Sequence, residues 1–146
     1  MIALLNAAAL IAASGQAAPQ DAMSEARTFL ETFIKDPQAT KAMVTSDALF
    51  AAGDIGGPYA EFLSGMPRGK PMMAGCSVQA LEQKPTPPET DLRNFPAPSF
   101  KTSGHFALVT ANLVCPATGG GSRTSDVSVF LKDGRVVMFG IQPRRG

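Results

Sequence analysis

The sequence is poor in the side chains that metal sites and many hydrolases use. Its 146 residues include no tryptophan, one tyrosine, one histidine and two cysteines. A structural zinc site needs about four nitrogen or sulfur ligands, which this set does not supply. The run Gly119-Gly120-Gly121 is not followed by Gly-Lys-Ser/Thr, so it does not have the form of a phosphate-binding loop. We therefore expect neither a metal ion nor a cofactor.

Charged residues are scarce as well, at 17% of the chain with a formal net charge of +1. The sequence has no long block of lysines and arginines, which is the usual signature of a segment that binds nucleic acid. We therefore expect no nucleic-acid partner. The length is typical of one domain with one hydrophobic core.

The segment before the first charged residue, Asp21, is typical of a cleavable signal peptide. Residues 2–13 are apolar apart from one asparagine, and Gly15 and Ala17 match the small residues that precede a signal-peptidase cut. We expect cleavage of residues 1–17, which leaves a mature periplasmic or secreted domain of residues 18–146. A bilayer span needs about 20 apolar residues, so we expect no stable membrane span. Because no lysine or arginine precedes the apolar stretch, a buried core helix stays open as the alternative.

The first half of the mature chain predicts helices. Apolar residues at three- and four-residue spacing predict a helix from the N-cap Asp21 to about Lys35. Asp36 and Pro37 then match an N-cap and a first helical position. In chain order, we expect a second helix at residues 38–44, an irregular or extended stretch at 45–50, a glycine-rich turn at 53–58 and a third helix at 59–64.

The second half predicts four strands, at residues 76–83, 106–115, 123–131 and 135–142. Asp133-Gly134 is a favoured two-residue turn, so the last two strands should form a hairpin. A regular hairpin about this turn places Val129 opposite Met138. By the same count, Val127 lies opposite Gly140.

An antiparallel pairing of the first two strands places Cys76 opposite Cys115. One face of this pair then carries mostly apolar residues, as a half-buried sheet requires. The cysteine count is even and the predicted compartment is oxidising, so we expect a disulfide between them. The other pairs in this register are Val78–Leu113, Ala80–Ala111 and Glu82–Val109.

The order of these elements resembles the SnoaL-like group of the nuclear transport factor 2-like superfamily. Residues 47–63 are similar to the turn into the third helix of that family, and residues 126–139 are similar to its closing hairpin. The resemblance implies an α+β fold in which N-terminal helices pack on a curved antiparallel sheet. This architecture is a cone-shaped, cystatin-like roll with a pocket open at one end.

The same resemblance implies that Asp54 and Tyr59 border the pocket, so both are candidate binding residues. Asp54 in a turn is also a common backbone-bending residue, and a tyrosine often packs its ring while its hydroxyl group forms a hydrogen bond. We assign no catalytic residue.

Two classes of function remain. We favour an exported binding or interaction domain that takes a small hydrophobic ligand or forms a homodimer through its outer sheet. The alternative is an acid–base pocket enzyme of the isomerase, cyclase or dehydratase type. Two ionisable side chains in one apolar cavity would favour such an enzyme.

Overall fold

The computed structural model describes residues 18–53, 55–69, 73–85, 90–91, 103–104 and 106–143. The predicted signal peptide, residues 1–17, lies outside these ranges. The candidate binding residue Asp54 also lies outside them.

Helix α1 spans Ala18–Lys35. It begins before Asp21, so the prediction that Asp21 is its N-cap was wrong. The physical reason is that Pro19 is compatible with the first turn of a helix, where the missing N–H is not needed. The helix buries one stripe of side chains against the sheet: Ala22, Ala26, Phe29, Leu30, Phe33 and Ile34.

The second helix begins as predicted but is a 3-10 helix, Pro37–Met43. The carboxylate of Asp36 accepts a hydrogen bond from the backbone N–H of Gln38 at 3.1 Å. This N-cap bond satisfies one of the unpaired donors at the helix start. The side-chain amide of Gln38 donates to the carbonyl groups of Leu63 and Met66, which ties the 3-10 helix to the following helix.

The glycine-rich turn predicted at residues 53–58 is mostly a strand, so that prediction was wrong. Strand β1, Val44–Ala52, turns back at Gly53 into β2, Ile55–Pro58. Gly56 and Gly57 are extended because they pair with Ala51 and Phe50. Helix α2 then covers Tyr59–Ser64, as predicted, and Gly65 caps it.

The remaining strands are β3 Ser77–Lys84, β4 Thr90–Asp91, β5 Ser103–Gly104, β6 Ala107–Pro116, β7 Ser122–Lys132 and β8 Arg135–Pro143. Strands β3, β6, β7 and β8 lie close to the four predicted strands, whereas β4 and β5 were not predicted. The described residues form a six-stranded sheet in the order β2-β1-β8-β7-β6-β3, with β4 and β5 in a separate pair. The pairing of β1 with β8 is parallel, and the other pairs are antiparallel.

The β7–β8 hairpin has the predicted turn but a shifted register. Asp133 and Gly134 both have positive φ, at 51° and 78°, which fits a tight hairpin turn. Beyond the turn, Val129 lies opposite Phe139 rather than Met138. Val127 likewise lies opposite Ile141 rather than Gly140. A bulge adds Val137 to β8 and moves every later pair by one position.

The register of β3 with β6 is correct only in its first half. Val78 lies opposite Leu113, as predicted, but Glu82 lies opposite Thr110 rather than Val109. A bulge at Ala80, whose φ is 52°, separates the two halves. Ala80 is therefore exposed. Leu81 packs against the core in the inward position that was predicted for Ala80.

The cysteine prediction is confirmed: Cys76 and Cys115 form a disulfide. The bond joins the start of the β3 edge strand to β6. The residues are separated by 39 positions, and closing a loop of this length stabilises a fold by about 4 kcal/mol in the loop-entropy model.

These elements confirm the predicted α+β class, with N-terminal helices on a curved, mostly antiparallel sheet. The main core lies between α1, α2 and the sheet. A smaller buried cluster is made by Leu49, Ala51, Phe106, Phe130, Val137 and Met138. Alternate residues of a strand point to opposite faces, so Phe130 belongs to the face opposite the core residue Val129.

Candidate functional site

Six aromatic rings fill the space between the helices and the sheet beside Tyr59. Phe139 contacts Phe29 and Phe33 edge-on, with ring centroids 5.0 and 4.9 Å apart. Phe50 and Phe62 stack at 3.9 Å. We call this group the aromatic cluster: Phe29, Phe33, Phe50, Tyr59, Phe62 and Phe139. Ring pairs of this kind add to the stability gained by burial.

The hydroxyl group of Tyr59 is held inside this cluster by a buried hydrogen-bond chain. Thr40 donates from Oγ1 to the carbonyl oxygen of Pro37 at 2.6 Å. The Tyr59 hydroxyl lies 2.6 Å from the same Thr40 oxygen. A threonine hydroxyl has one proton, so Tyr59 is the donor in the second bond. Tyr59 and Thr40 are 1% and 0% exposed, so this chain satisfies polar groups that have little access to water.

Burial raises the pKa of Tyr59 from 10.0 to about 12, and the Thr40 hydroxyl, which can turn to donate to the phenolate, opposes part of that shift. The phenol is therefore neutral at physiological pH. The hydrogen bond from the Tyr59 hydroxyl to Thr40 joins α2 to the 3-10 helix. The ligand role of Asp54 and Tyr59 stays a prediction, because Asp54 lies outside the described residues and the Tyr59 hydroxyl is engaged by Thr40.

An open cavity of about 270 Å³ lies between α1 and the β7–β8 hairpin. We call it the α1–hairpin cavity. Apolar side chains and the polar side chains of Glu25 and Arg135 border the same space. Its lining residues are Ser24, Glu25, Thr28, Phe29, Ala42, Met43, Leu131, Gly134, Arg135 and Val136.

Two contacts position the charged groups of this cavity. The guanidinium group of Arg135 donates to the carbonyl oxygen of Val44 at 2.9 Å, which links the hairpin to the start of β1. The carboxylate of Glu25 lies against the turn glycine Gly134. A Cβ atom built on Gly134 would be 3.0 Å from Glu25 Oε1, so glycine leaves the space that this carboxylate occupies.

A second cavity, of about 330 Å³, has a more polar lining. Its wall includes Thr110, Asn112, Asp126 and Ser128 from β6 and β7, and Glu82 from β3. The bulge at Ala80 is what brings Glu82 opposite Thr110. Lys84, also in the lining, pairs with Glu82 at 3.0 Å, so these opposite charges neutralise each other.

Sequence reasoning missed Glu25 and Arg135. Glu25 lies in α1 between the stripe residues Ala22 and Ala26. A polar residue between apolar stripe residues is typical of the solvent side of an amphipathic helix. Arg135 is the residue after the predicted turn. A local pattern could not bring them together, because Glu25 in α1 and Arg135 in β8 are 110 positions apart (135 − 25) and meet only in the folded chain.

Among the residues that the structure describes, no group of three or more histidine, cysteine, aspartate or glutamate side chains could hold a metal ion. Within those same ranges, no helix is long and apolar enough to cross a membrane.

No protein-family model matches this sequence, and no curated protein matches it. Three solved structures with a similar backbone are designed proteins. A de novo designed protein with a curved β-sheet has a TM-score of 0.48 at 10% identity, over 83% of this chain and 86% of the design. The de novo designed NTF2 fold protein NT-9 has a TM-score of 0.43 at 10% identity, over 84% of each chain.

A third similar structure comes from an enumerative algorithm for designing proteins with diverse pocket structures. Its TM-score is 0.44 at 17% identity, over 83% of this chain and 96% of the design. None of these three designs supplies a function for this chain.

Proposed function

We propose that the protein is an exported domain that binds a small amphipathic ligand in the α1–hairpin cavity. The observation that carries this proposal is the mixed lining of that cavity. Ala42 and Met43 provide accessible apolar surface, and Glu25 and Arg135 provide charge. The almost completely buried Phe29, Leu131 and Val136 complete the wall. Ligand sites typically combine a mainly apolar wall with a few polar groups that orient the ligand.

The volume limits the size of such a ligand. A space of about 270 Å³ holds roughly nine groups of the size of water, at about 30 Å³ each. This is slightly below the usual range of ligand cavities, which starts at about 300 Å³. The ligand is therefore a molecule of roughly this many non-hydrogen atoms, and larger molecules would extend into solvent through the open side.

Binding is tested by filling the cavity. Hexanoate and hexanamide are probes of matched size, and amide-resolved NMR titration reports where each one binds. We expect saturable shifts at Phe29, Met43 and Leu131 in the wild type. Ala42→Trp should remove them, because Ala42 lines the cavity and a large ring there would occupy it.

Ala39→Trp is the matched control, because Ala39 is an exposed residue of the same 3-10 helix outside the cavity lining. It should leave the shifts intact. Absence of saturable shifts with both probes contradicts the proposed function. Equal loss of binding in both tryptophan variants contradicts the assignment to this cavity.

Export and family membership belong to the same proposal. We infer that residues 1–17 are removed and that the mature chain is a periplasmic or secreted member of the SnoaL-like group. The disulfide between Cys76 and Cys115 supports an oxidising compartment. The order of two helices, a hairpin, a third helix and antiparallel strands supports the family.

Intact-mass analysis of protein from its native host tests export. We expect a chain that begins at Ala18 or within a few residues of it, with both cysteines unreactive to an alkylating agent before reduction. A cytoplasmic chain that retains Met1 contradicts export. Sedimentation analysis of the same sample tests the expected homodimer.

The acid–base enzyme is the second candidate, and one observation favours it. Glu25 and Arg135 line one partly apolar cavity, so a carboxylate base and a positive charge for a developing oxyanion lie within the same space. Hydrogen–deuterium exchange at the α-carbon of cyclohexanone probes such a base directly. Exchange above the buffer rate that Glu25→Gln abolishes would support the enzyme, whereas exchange at the buffer rate contradicts proton abstraction from this probe.

A further inference from the structure

We propose that the ligand of the α1–hairpin cavity is a small monocarboxylate, whose anionic group binds Arg135 and whose hydrocarbon body lies on the apolar wall. This inference rests on the proposed function and adds the chemical class of the ligand. It follows from three properties of the cavity: a positioned guanidinium group, an apolar wall of limited size and a second charge of opposite sign.

The guanidinium group of Arg135 is the anion-binding element. Its hydrogen bond to the Val44 carbonyl holds the group at the cavity. A guanidinium has five N–H donors in a planar fork, so a single carbonyl bond does not exhaust it. Within the part of the chain that the structure describes, Arg135 forms no ion pair with a carboxylate. A ligand carboxylate fits the fork with two parallel hydrogen bonds.

The apolar wall accounts for the body of the ligand. Phe29, Leu131 and Val136 are almost completely buried, at 1%, 3% and 2% exposed. The apolar surface that a ligand can reach is therefore mainly that of Ala42, which is exposed, and Met43, which is partly buried. A carboxylate together with a chain of about five carbons matches the roughly nine water-sized groups that the volume allows. Placing that chain in the cavity removes apolar surface of the ligand, and some of Ala42 and Met43, from water.

Glu25 makes a second negative charge on the ligand less favourable. Its carboxylate lines the same cavity, and a second ligand carboxylate near it would be repelled. A monocarboxylate places its one charge at Arg135 and its neutral end elsewhere. A dicarboxylate of similar length should therefore bind less tightly.

Four probes of similar chain length test the charge. Hexanoate, hexanamide, hexylammonium and the dicarboxylate adipate are titrated into the mature wild-type protein at neutral pH and low salt, with NMR shifts as the readout. We expect hexanoate to bind about tenfold more tightly than hexanamide, because charge-assisted hydrogen bonds are stronger than neutral ones. Hexylammonium should bind more weakly than hexanoate, and adipate should also bind more weakly.

The outcomes separate this inference from the proposed function. Equal affinity for hexanoate and hexanamide overturns the carboxylate class but leaves the binding cavity standing. Tighter binding of hexylammonium than of hexanoate also overturns it, since Glu25 would then be the main recognition group. Binding of none of these probes overturns the proposed function itself.

Arg135→Gln should remove the preference for hexanoate over hexanamide, and Arg135→Lys should retain part of it because the positive charge remains. Arg123→Gln is the control, because Arg123 is an exposed residue of β7 outside the cavity lining. A hexanoate preference that survives Arg135→Gln overturns the role of Arg135. The wild-type probe series gives a result even where a variant folds poorly.

Discussion

The aromatic cluster and the α1–hairpin cavity share helix α1 but use it in opposite ways. At the cluster, rings from α1, β1, α2 and β8 fill the space, and Phe139 is completely buried. At the cavity, the same helix faces a glycine turn and Ala42, and space remains. Phe29 borders both regions. The difference teaches that the size of the side chains facing α1 decides where the fold is closed and where it is open to a ligand. Large rings face the helix at the cluster, and glycine and alanine face it at the cavity.

The largest expected effect is on the free energy of unfolding, and it is measured by replacing one residue from each region. Phe139→Ala should lower the free energy of unfolding by about 3–5 kcal/mol, because it removes a fully buried ring and leaves a cavity. Met43→Ala should cost clearly less, because Met43 is only partly buried at the cavity wall. Urea unfolding of both variants measures the contrast. Equal losses would mean that the cavity wall is part of the tightly packed core.

The next effect depends on pH and belongs to the aromatic cluster alone. The pKa of Tyr59 is raised from 10.0 to about 12 on folding, so the folded state holds this proton more tightly than the unfolded state. The resulting stability is complete below pH 10.0, and it is lost as the pH rises towards about 12.

Wild-type protein should therefore lose stability more steeply than Tyr59→Phe over this interval, as measured by thermal unfolding at a series of pH values. Tyr59 is the only tyrosine, so tyrosinate absorbance reports this group without interference. A phenol that ionises at its ordinary pKa would contradict the burial of Tyr59. Lysines also titrate near these values, and the Tyr59→Phe variant accounts for them.

The smallest expected effect is at the cavity turn. Gly134→Ala should destabilise the fold by about 1 kcal/mol, because its φ of 78° is unfavourable for alanine and the added carbon would meet Glu25. It should also weaken hexanoate binding, since Glu25 must move within the cavity.

Gly57→Ala is the matched control for this turn, because a Cβ atom at Gly57 would meet nothing within 4 Å and its φ is not in the left-handed region. Its free energy of unfolding and its hexanoate affinity should both stay close to wild type. A Gly134→Ala variant that behaves like this control would show that the Glu25 position does not depend on the turn.

Short-range patterns were good predictors of the elements of this fold. The apolar stripe of α1, the Asp36-Pro37 start of the 3-10 helix and the bounds of α2 were all readable from the sequence. The Asp133-Gly134 turn and the Cys76–Cys115 disulfide were readable for the same reason. Each depends on residue preferences within one element, or on one alternating face of a strand pair.

The candidate site was much less predictable. The sequence predicted Asp54 and Tyr59 as binding residues, whereas the structure brings Glu25 and Arg135 to one cavity. The Tyr59 hydroxyl instead donates a hydrogen bond to Thr40, a partner on a different helix. A polar residue has the same local signature whether it faces solvent, a buried partner or a cavity, so these roles required the packed chain.

By itself, therefore, the sequence determined the α+β class, the approximate positions of the helices and of four strands, the closing turn and the cysteine pair. Tertiary structure decided the bulges at Ala80 and Val137, which shift the register of two strand pairs and place Glu82 opposite Thr110. It also decided the cavity, which residues of α1, the 3-10 helix and the β7–β8 hairpin line together. The physical reason is range: hydrophobic periodicity and turn preferences act over a few residues, whereas bulges and cavities depend on how distant surfaces fit when they pack.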